Sequence, residues 1–156
     1  FADCVPLYFY DKTHHAIGLS HSGWRGTVQR MGQKTIDAMA KAYGTRPEDL
    51  KVIIGPSICQ SCYEVSEEVA DAFVAEFGSN RKDQLLMDKG NGKYQLDLWR
   101  ANELVFADAG LEPGQIETAG LCTCCHPDLL FSHRASHGKR GNMAGGLSLG
   151  GKNHES

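Results

Sequence analysis

The sequence predicts an α+β domain. Three observations predict it: an apolar–polar–apolar pattern near the start that reads as a β-hairpin, three amphipathic stretches with helical spacing, and no regular β-α-β alternation of the kind a parallel sheet requires. At 156 residues the chain suits one domain, assigned to 1–150, with 151–156 as a tail.

The hairpin comes first. Val5-Pro6-Leu7-Tyr8-Phe9-Tyr10 and Ala16-Ile17-Gly18-Leu19-Ser20 have strand length and flank the polar Asp11-Lys12-Thr13-His14-His15. With Tyr10 opposite His15, Cys4 falls opposite His21 on the same face, Cβ atoms about 4.5–5.5 Å apart. The sulfur and an imidazole nitrogen are then expected within roughly 4 Å, close enough to share a metal ion, whereas a slip of one residue would separate them. Beyond His21 the chain leaves through Ser22-Gly23-Trp24-Arg25-Gly26, where two glycines permit close backbone approach and Arg25 beside a helix start favours an anion. A plainer reading stays open at this point: Cys4 as a small buried hydrophobe, His21 as a strand-end residue, Trp24 in the core and Arg25 solvated.

The helical pattern from Thr27 to Tyr43 places Val28, Met31, Thr35, Met39 and Tyr43 on one face, with Gly44 as its stop. Lys51 to Ile54 reads as a short buried strand ended by Gly55-Pro56, and Ser57 to Val65 as a loop. Ser66 caps a helix through Phe77, with Val69, Phe73 and Phe77 in register and Gly78 after it. Gly90-Asn91-Gly92 marks a hairpin turn. Asp97 caps a third helix to Ala109, and Gln115 to Leu121 forms a strand that delivers Cys122 and Thr123 to its end. His133, Arg134, His137, Lys139 and Arg140 crowd into eight positions, as a solvated basic loop or as an anion clamp. A last strand is expected within Asn142 to Leu149.

Composition excludes several roles. A net charge of -3 with 22% charged residues gives no basic field for nucleic acid, and no apolar run approaches the roughly 18 residues of a membrane span. Nothing resembles a signal peptide, so the six cysteines are expected as reduced thiols in the cytoplasm. The chain begins at Phe1, one residue short of a strand-like segment, and is expected to lack an N-terminal portion. Cys59 and Cys62 form a C-x-x-C, and with Cys122, Cys124 and Cys125 they suggest a split zinc site. The later trio is not read as a clean pair, so structural zinc is the minority reading, and Cys59 and Cys62 are expected to be neither a redox pair nor a zinc site.

Ala2-Asp3-Cys4-Val5-Pro6, His21-Ser22-Gly23-Trp24-Arg25-Gly26, Gly55-Pro56-Ser57-Ile58 with Cys62-Tyr63-Glu64-Val65, Cys122-Thr123 and Phe131-Ser132-His133-Arg134 occur in order along the chain. In these blocks it resembles the YfiH family, also called the laccase-domain or multicopper polyphenol oxidase family. The resemblance implies a mixed β-sheet sandwich flanked by helices. It also implies one transition-metal site of two His and one Cys, usually holding zinc, with copper as the alternative. Cys4 and His21 match two of those ligands. The third is a His in an upstream Q-V-H-G motif, and none of His14, His15, His126, His133, His137 or His154 lies in a matching motif.

The implied activity is phosphorolysis of purine nucleosides (adenosine, inosine, 5′-methylthioadenosine) together with adenosine deamination. The small-molecule partners are then nucleoside and phosphate, and phenolics under the older oxidase label, although a multicopper oxidase needs H-x-H pairs and this sequence has none. A three-ligand zinc keeps an open position for the water that deamination consumes. Arg25, Arg134 and Arg140 are the candidates for holding phosphate. Two other readings use the same residues: a metal-independent cysteine hydrolase or deamidase built on Cys4 and His21, and a non-catalytic zinc-stabilised binding module built on Cys59, Cys62 and the Cys122 cluster.

Overall fold

The structure, a computed structural model, describes residues 1–150, so the predicted tail at 151–156 lies outside the described residues. The predicted hairpin is present as β1 (Val5–Asp11) and β2 (Ala16–Ser22). It joins β3 (Leu50–Ile54) and β7 (Ile116–Thr118) in a sheet of order β2-β1-β3-β7, antiparallel except for the β3–β7 pair. A second sheet, of order β4-β6-β5, contains β4 (Glu64–Ser66), β5 (Leu86–Gly90) and β6 (Lys93–Leu96). Among the described residues five α-helices accompany them: α1 (Trp24–Val28), α2 (Met31–Tyr43), α3 (Glu67–Phe77), α4 (Lys82–Leu85) and α5 (Leu98–Asp108). Two sheets, one of them mixed, with helices packed on them make this an α+β fold, as the sequence predicts.

The first sheet is organised by alternation. Leu7 and Phe9 of β1 with Leu50, Val52 and Ile54 of β3 are buried, while Tyr10, Lys51 and Ile53 point to the other, exposed face. β3, predicted as a short buried strand, is buried on one face only. On the inner face Phe9 meets Phe106 of α5 edge-on, with ring centroids 5.6 Å apart. Helix α2 reaches the same place because Gly32 has no side chain: a Cβ there would lie 2.8 Å from Phe106 Cε1.

The register of the hairpin differs from the predicted one. Asp11 pairs with Ala16 and Pro6 with His21, so Cys4, which precedes β1, is not directly opposite His21. The cause is the turn. Buried Asp11 accepts N–H bonds from Thr13 and His14, both 2.9 Å, and a 2.7 Å bond with the His14 ring, which fixes Asp11 as the last residue of the ladder. The change moves the partner of His21 by two residues and so preserves faces.

Three further elements depart from expectation. The helix predicted over Thr27–Tyr43 is broken at Arg30, a left-handed residue (φ 56°) between α1 and α2. Arg30 bonds Glu76 of α3 and, at 3.0 Å, Asp108 of α5, so tertiary ion pairs hold a backbone state that local propensity disfavours. β7 ends at Thr118, short of Leu121. Residues 142–149 form no strand; a reciprocal pair of bonds between Phe1 and Met143 (2.7 and 2.8 Å) ties this segment beside the hairpin without a ladder. Ser66 stands at the N-cap position of α3 but makes no side-chain cap bond, and Glu64 and Val65, predicted as the end of a loop, belong to β4. Two other signals hold. Asn91 and Gly92 both take positive φ in the β5–β6 turn. Asp97 accepts the Arg100 N–H at 2.9 Å as the α5 cap.

Candidate active site

The site lies at the open end of the hairpin. Asp3 takes φ 77°, which turns the chain just before β1 and presents Cys4, half-buried, toward the loop after β2. His21, the last-but-one residue of β2, is exposed. Both functional atoms approach Gly23: a Cβ built there would lie 3.0 Å from Cys4 Sγ and 3.9 Å from His21 Nε2. The thiol and the imidazole thus converge within 4 Å of one point that a side chain would otherwise occupy. Gly23 itself has extended backbone (φ -69°, ψ -175°), so its requirement is for space and not for an unusual conformation.

Around this point the structure gathers two residues that the sequence reading did not single out. Buried Asp3 accepts from Thr123 Oγ1 at 2.7 Å and from the Arg134 backbone N–H at 2.8 Å, and its own carbonyl accepts from Ile58 N–H at 3.0 Å. It is the joint between the Cys4 turn and two distant loops. Tyr63 carries the Arg134 guanidinium over its ring at 5.5 Å, and Arg134 also donates to the Glu64 carbonyl at 3.0 Å. Asp3 and Tyr63 sit inside the A-D-C and C-Y-E-V blocks, so their positions were marked even though their roles were not.

The charges here act on one another. Burial pushes the Cys4 thiol up, the Asp3 carboxylate adds to this, and the Phe1 ammonium and Arg140 offset part of it. A thiol so placed is a poor free nucleophile near neutral pH. Burial and then the Cys4 charge push the Tyr63 phenol up to about 12, against the pull of Arg134 and Arg25, so it keeps its proton. The three candidate arginines all belong to this neighbourhood. Arg140 acts on Cys4; Arg134 and Arg25 act on Tyr63. Arg25 lies over the Trp24 ring at 4.3 Å and is exposed. Arg140 donates to His133 Nδ1 at 3.3 Å and to Asn142 Oδ1. A cleft of about 320 Å³ opens beside His21, between Pro6, Leu19 and the Met143–Gly145 segment.

Cys4 Sγ and His21 Nε2 both lie beside Gly23, and a soft thiolate with an imidazole is a donor set that suits zinc or copper. Among the described residues no group of three or more His, Cys, Asp or Glu with all its ligand atoms within 4.8 Å of one another includes Cys4 or His21. In particular His126 is turned to the Cys122 carbonyl (3.0 Å) and His133 to Arg140, so neither joins the pair.

The remaining cysteines are arranged otherwise than the sequence reading had it. The sulfurs of Cys59, Cys62, Cys122 and Cys125 all lie within 4.8 Å of one another. Cys122 and Cys125 are themselves a C-x-x-C pair, which the extra Cys124 between them obscures. The expectation that Cys59 and Cys62 have no second ligand pair is therefore corrected.

Comparison with known proteins shows the family and the fold. A sequence profile of the family described as multi-copper polyphenol oxidoreductase laccase matches residues 1–150. The purine nucleoside phosphorylase YlmD of Bacillus subtilis is 42% identical over 143 residues, covering 92% of this chain and 51% of that protein. A protein named adenosine deaminase RL5, from an unknown prokaryotic organism, is 37% identical over 134 residues, covering 85% and 50%. The crystal structure of the hypothetical protein YfiH of Bacillus licheniformis superposes with a TM-score of 0.83 at 37% identity, covering 89% of this chain and 52% of that one. The chain spans about half the length of the curated relatives it matches. With the profile running from Phe1 to Gly150, the chain belongs to the multi-copper polyphenol oxidoreductase laccase family, the group that includes YfiH.

Proposed function

We propose that the chain forms the Cys4–His21 side of a purine nucleoside phosphorylase that also deaminates adenosine, acting on adenosine, inosine and 5′-methylthioadenosine. The observation that supports this most is the placement of Cys4 Sγ and His21 Nε2 together beside Gly23, with the charges of Arg25, Arg134 and Arg140 in the same neighbourhood. The names of the relatives supply the reaction class. The six free cysteines suit the reducing cytoplasm expected from the sequence. Among the described residues no helix is long and apolar enough to cross a membrane.

In phosphorolysis an oxygen of phosphate forms a bond to C1′ of the ribose as the bond from C1′ to the purine nitrogen breaks. Two tasks fall to the protein: holding a dianion against an electrophilic carbon, and covering the charge that develops on the departing base. Arg25 and Arg134 take the first, as charge-assisted donors, with Arg140 the third candidate. Tyr63, which keeps its proton at neutral pH, takes the second as a hydrogen-bond donor. In deamination the oxygen of water adds at C6 of adenine and ammonia leaves. Cys4 and His21 are the residues that would hold zinc or copper, whose contribution when bound is Lewis acidity. The raised Cys4 thiol speaks against the metal-independent nucleophile reading.

The test is hypoxanthine release from inosine with and without phosphate. Release should require phosphate and yield ribose 1-phosphate in equal amount. Arg25→Ala should raise KM for phosphate roughly tenfold to a hundredfold, the loss of one charge-assisted contact of about 1.5–3 kcal/mol, with kcat much less affected. Release at the same rate without phosphate would exclude phosphorolysis.

A further inference from the structure

The second group of cysteines lies outside the machinery just described, and nothing in the phosphorylase reading uses it. We infer that Cys59, Cys62, Cys122 and Cys125 bind a single zinc ion in a closed, four-thiolate site. The spacing is C-x-x-C in both halves. The distances also agree with one ion. In a tetrahedron with Zn–S bonds of 2.3 Å the sulfurs stand about 3.8 Å apart. Here Cys62 Sγ to Cys125 Sγ is 3.5 Å and Cys59 Sγ to Cys125 Sγ is 3.9 Å, with all four sulfurs inside 4.8 Å. A disulfide would need about 2.05 Å. All four are free thiols, so the ion would enter as their protons leave to solvent.

The backbone builds the site before any ion is present. A single 3₁₀ turn over Gln60–Cys62 carries the first pair, and the Cys62 N–H returns to the Cys59 carbonyl at 3.2 Å. The second pair is brought alongside by a parallel bridge between Ser57 and Cys122, with Ser57 N–H to the Leu121 carbonyl and Thr123 N–H to the Ser57 carbonyl, both 3.2 Å. The Cys59 amide donates to Cys122 Sγ at 3.3 Å, the kind of bond that stabilises a sulfur carrying negative charge. Two loops some sixty positions apart are thus placed so that four sulfurs face one point.

The location gives the ion a positioning role. Thr123, between the second pair, donates to Asp3 at 2.7 Å, and Asp3 sets the turn that presents Cys4. Tyr63, next to Cys62, carries Arg134. A clamp on the four cysteines would therefore fix the wall behind the candidate active site from two sides.

The experiment uses the purified chain in a Cys4→Ser, His21→Ala background, which removes the other soft donors, and reads metal directly. Zinc should be present or taken up on titration at about one per chain, and cobalt substituted for it should give the intense thiolate charge-transfer absorption of a tetrahedral sulfur site. Adding Cys125→Ser should lower zinc affinity at least about tenfold. Alkylation of the unmutated protein supplies a second readout that does not depend on the variant's folding. Cys125 is exposed and within reach of the reagent, yet it should be protected until a chelator is added and react once the ion is removed. Failure to take up zinc, affinity unchanged by Cys125→Ser, iron as the bound metal, or Cys125 alkylated without chelator would each overturn the assignment.

Discussion

Two groups of soft ligands stand back to back in this fold, and they differ in completeness. At the hairpin end, Cys4 and His21 offer two donors around an open point lined by glycine and flanked by arginines. In the loop pair behind it, four cysteines face inward with no gap in the set. The contrast is between two donors and a full set of four. Catalytic metal sites keep a position free, whereas structural ones fill the tetrahedron. The open group is also the one whose neighbours include charged arginines, while the closed one is held by backbone hydrogen bonds.

The strongest way to break this comparison is to remove one sulfur from the open group. Cys4→Ser should lower kcat/KM for inosine at least about a hundredfold, because the oxygen is a much weaker ligand for a soft ion, and should leave the thermal midpoint nearly unchanged. A large fall in the midpoint with activity retained would reverse the two roles. The measurements are steady-state phosphorolysis and calorimetry on the same preparations.

A smaller effect is expected from filling the open point. Gly23→Ala meets no backbone penalty at φ -69°, so the whole consequence of the substitution is a methyl group 3.0 Å from Cys4 Sγ. We expect kcat/KM to fall about tenfold, by misplacement of the reacting groups, with stability changed by less than about 1 kcal/mol. Activity at the parent level would mean that nothing needs the space beside Gly23, and the convergence of thiol and imidazole there would lose its functional meaning.

The two groups were unequally legible in the sequence. The open one could be read because its parts are local: A-D-C and H-S-G-W-R-G are joined by one hairpin, and strand periodicity puts Cys4 and His21 on the same side even though the turn at Asp11 sets a different register. The closed group was half-hidden. Its pairs are joined through a parallel bridge at Ser57 and Cys122 that no local pattern announces, and Cys124 disguises the second pair. Arg30 shows the same limit in a helix. Val28, Met31 and Met39 suggested one continuous amphipathic face, but the break at Arg30 is maintained by Glu76 and Asp108, residues that come near only in the folded chain. Asp3 lay in plain view within a recognised block, but its partners are 120 and 131 positions away.

The finest test concerns the join between the two groups. Thr123 Oγ1 donates to Asp3 Oδ1 at 2.7 Å in a buried setting, and it is the side chain that connects the four-cysteine loops to the turn before Cys4. Thr123→Val removes the hydroxyl while keeping the shape, so it deletes the bond without opening a cavity, although Asp3 keeps the Arg134 N–H. We expect a stability loss of about 1.5–3 kcal/mol, as for hydrogen bonds to charged groups, and a fall in kcat/KM of a few-fold. Asp3→Asn should act through the same contact and the second one, since its amide would face either the Thr123 hydroxyl or the Arg134 N–H with a donor. In a double-mutant cycle of the two substitutions the effects should therefore fail to add, with a coupling of about 0.5–3 kcal/mol in stability. If activity falls with each single variant and the falls simply multiply in the double variant, Thr123 and Asp3 act independently. The closed group would then be a separate anchor for its own loops, with no hand in placing Cys4.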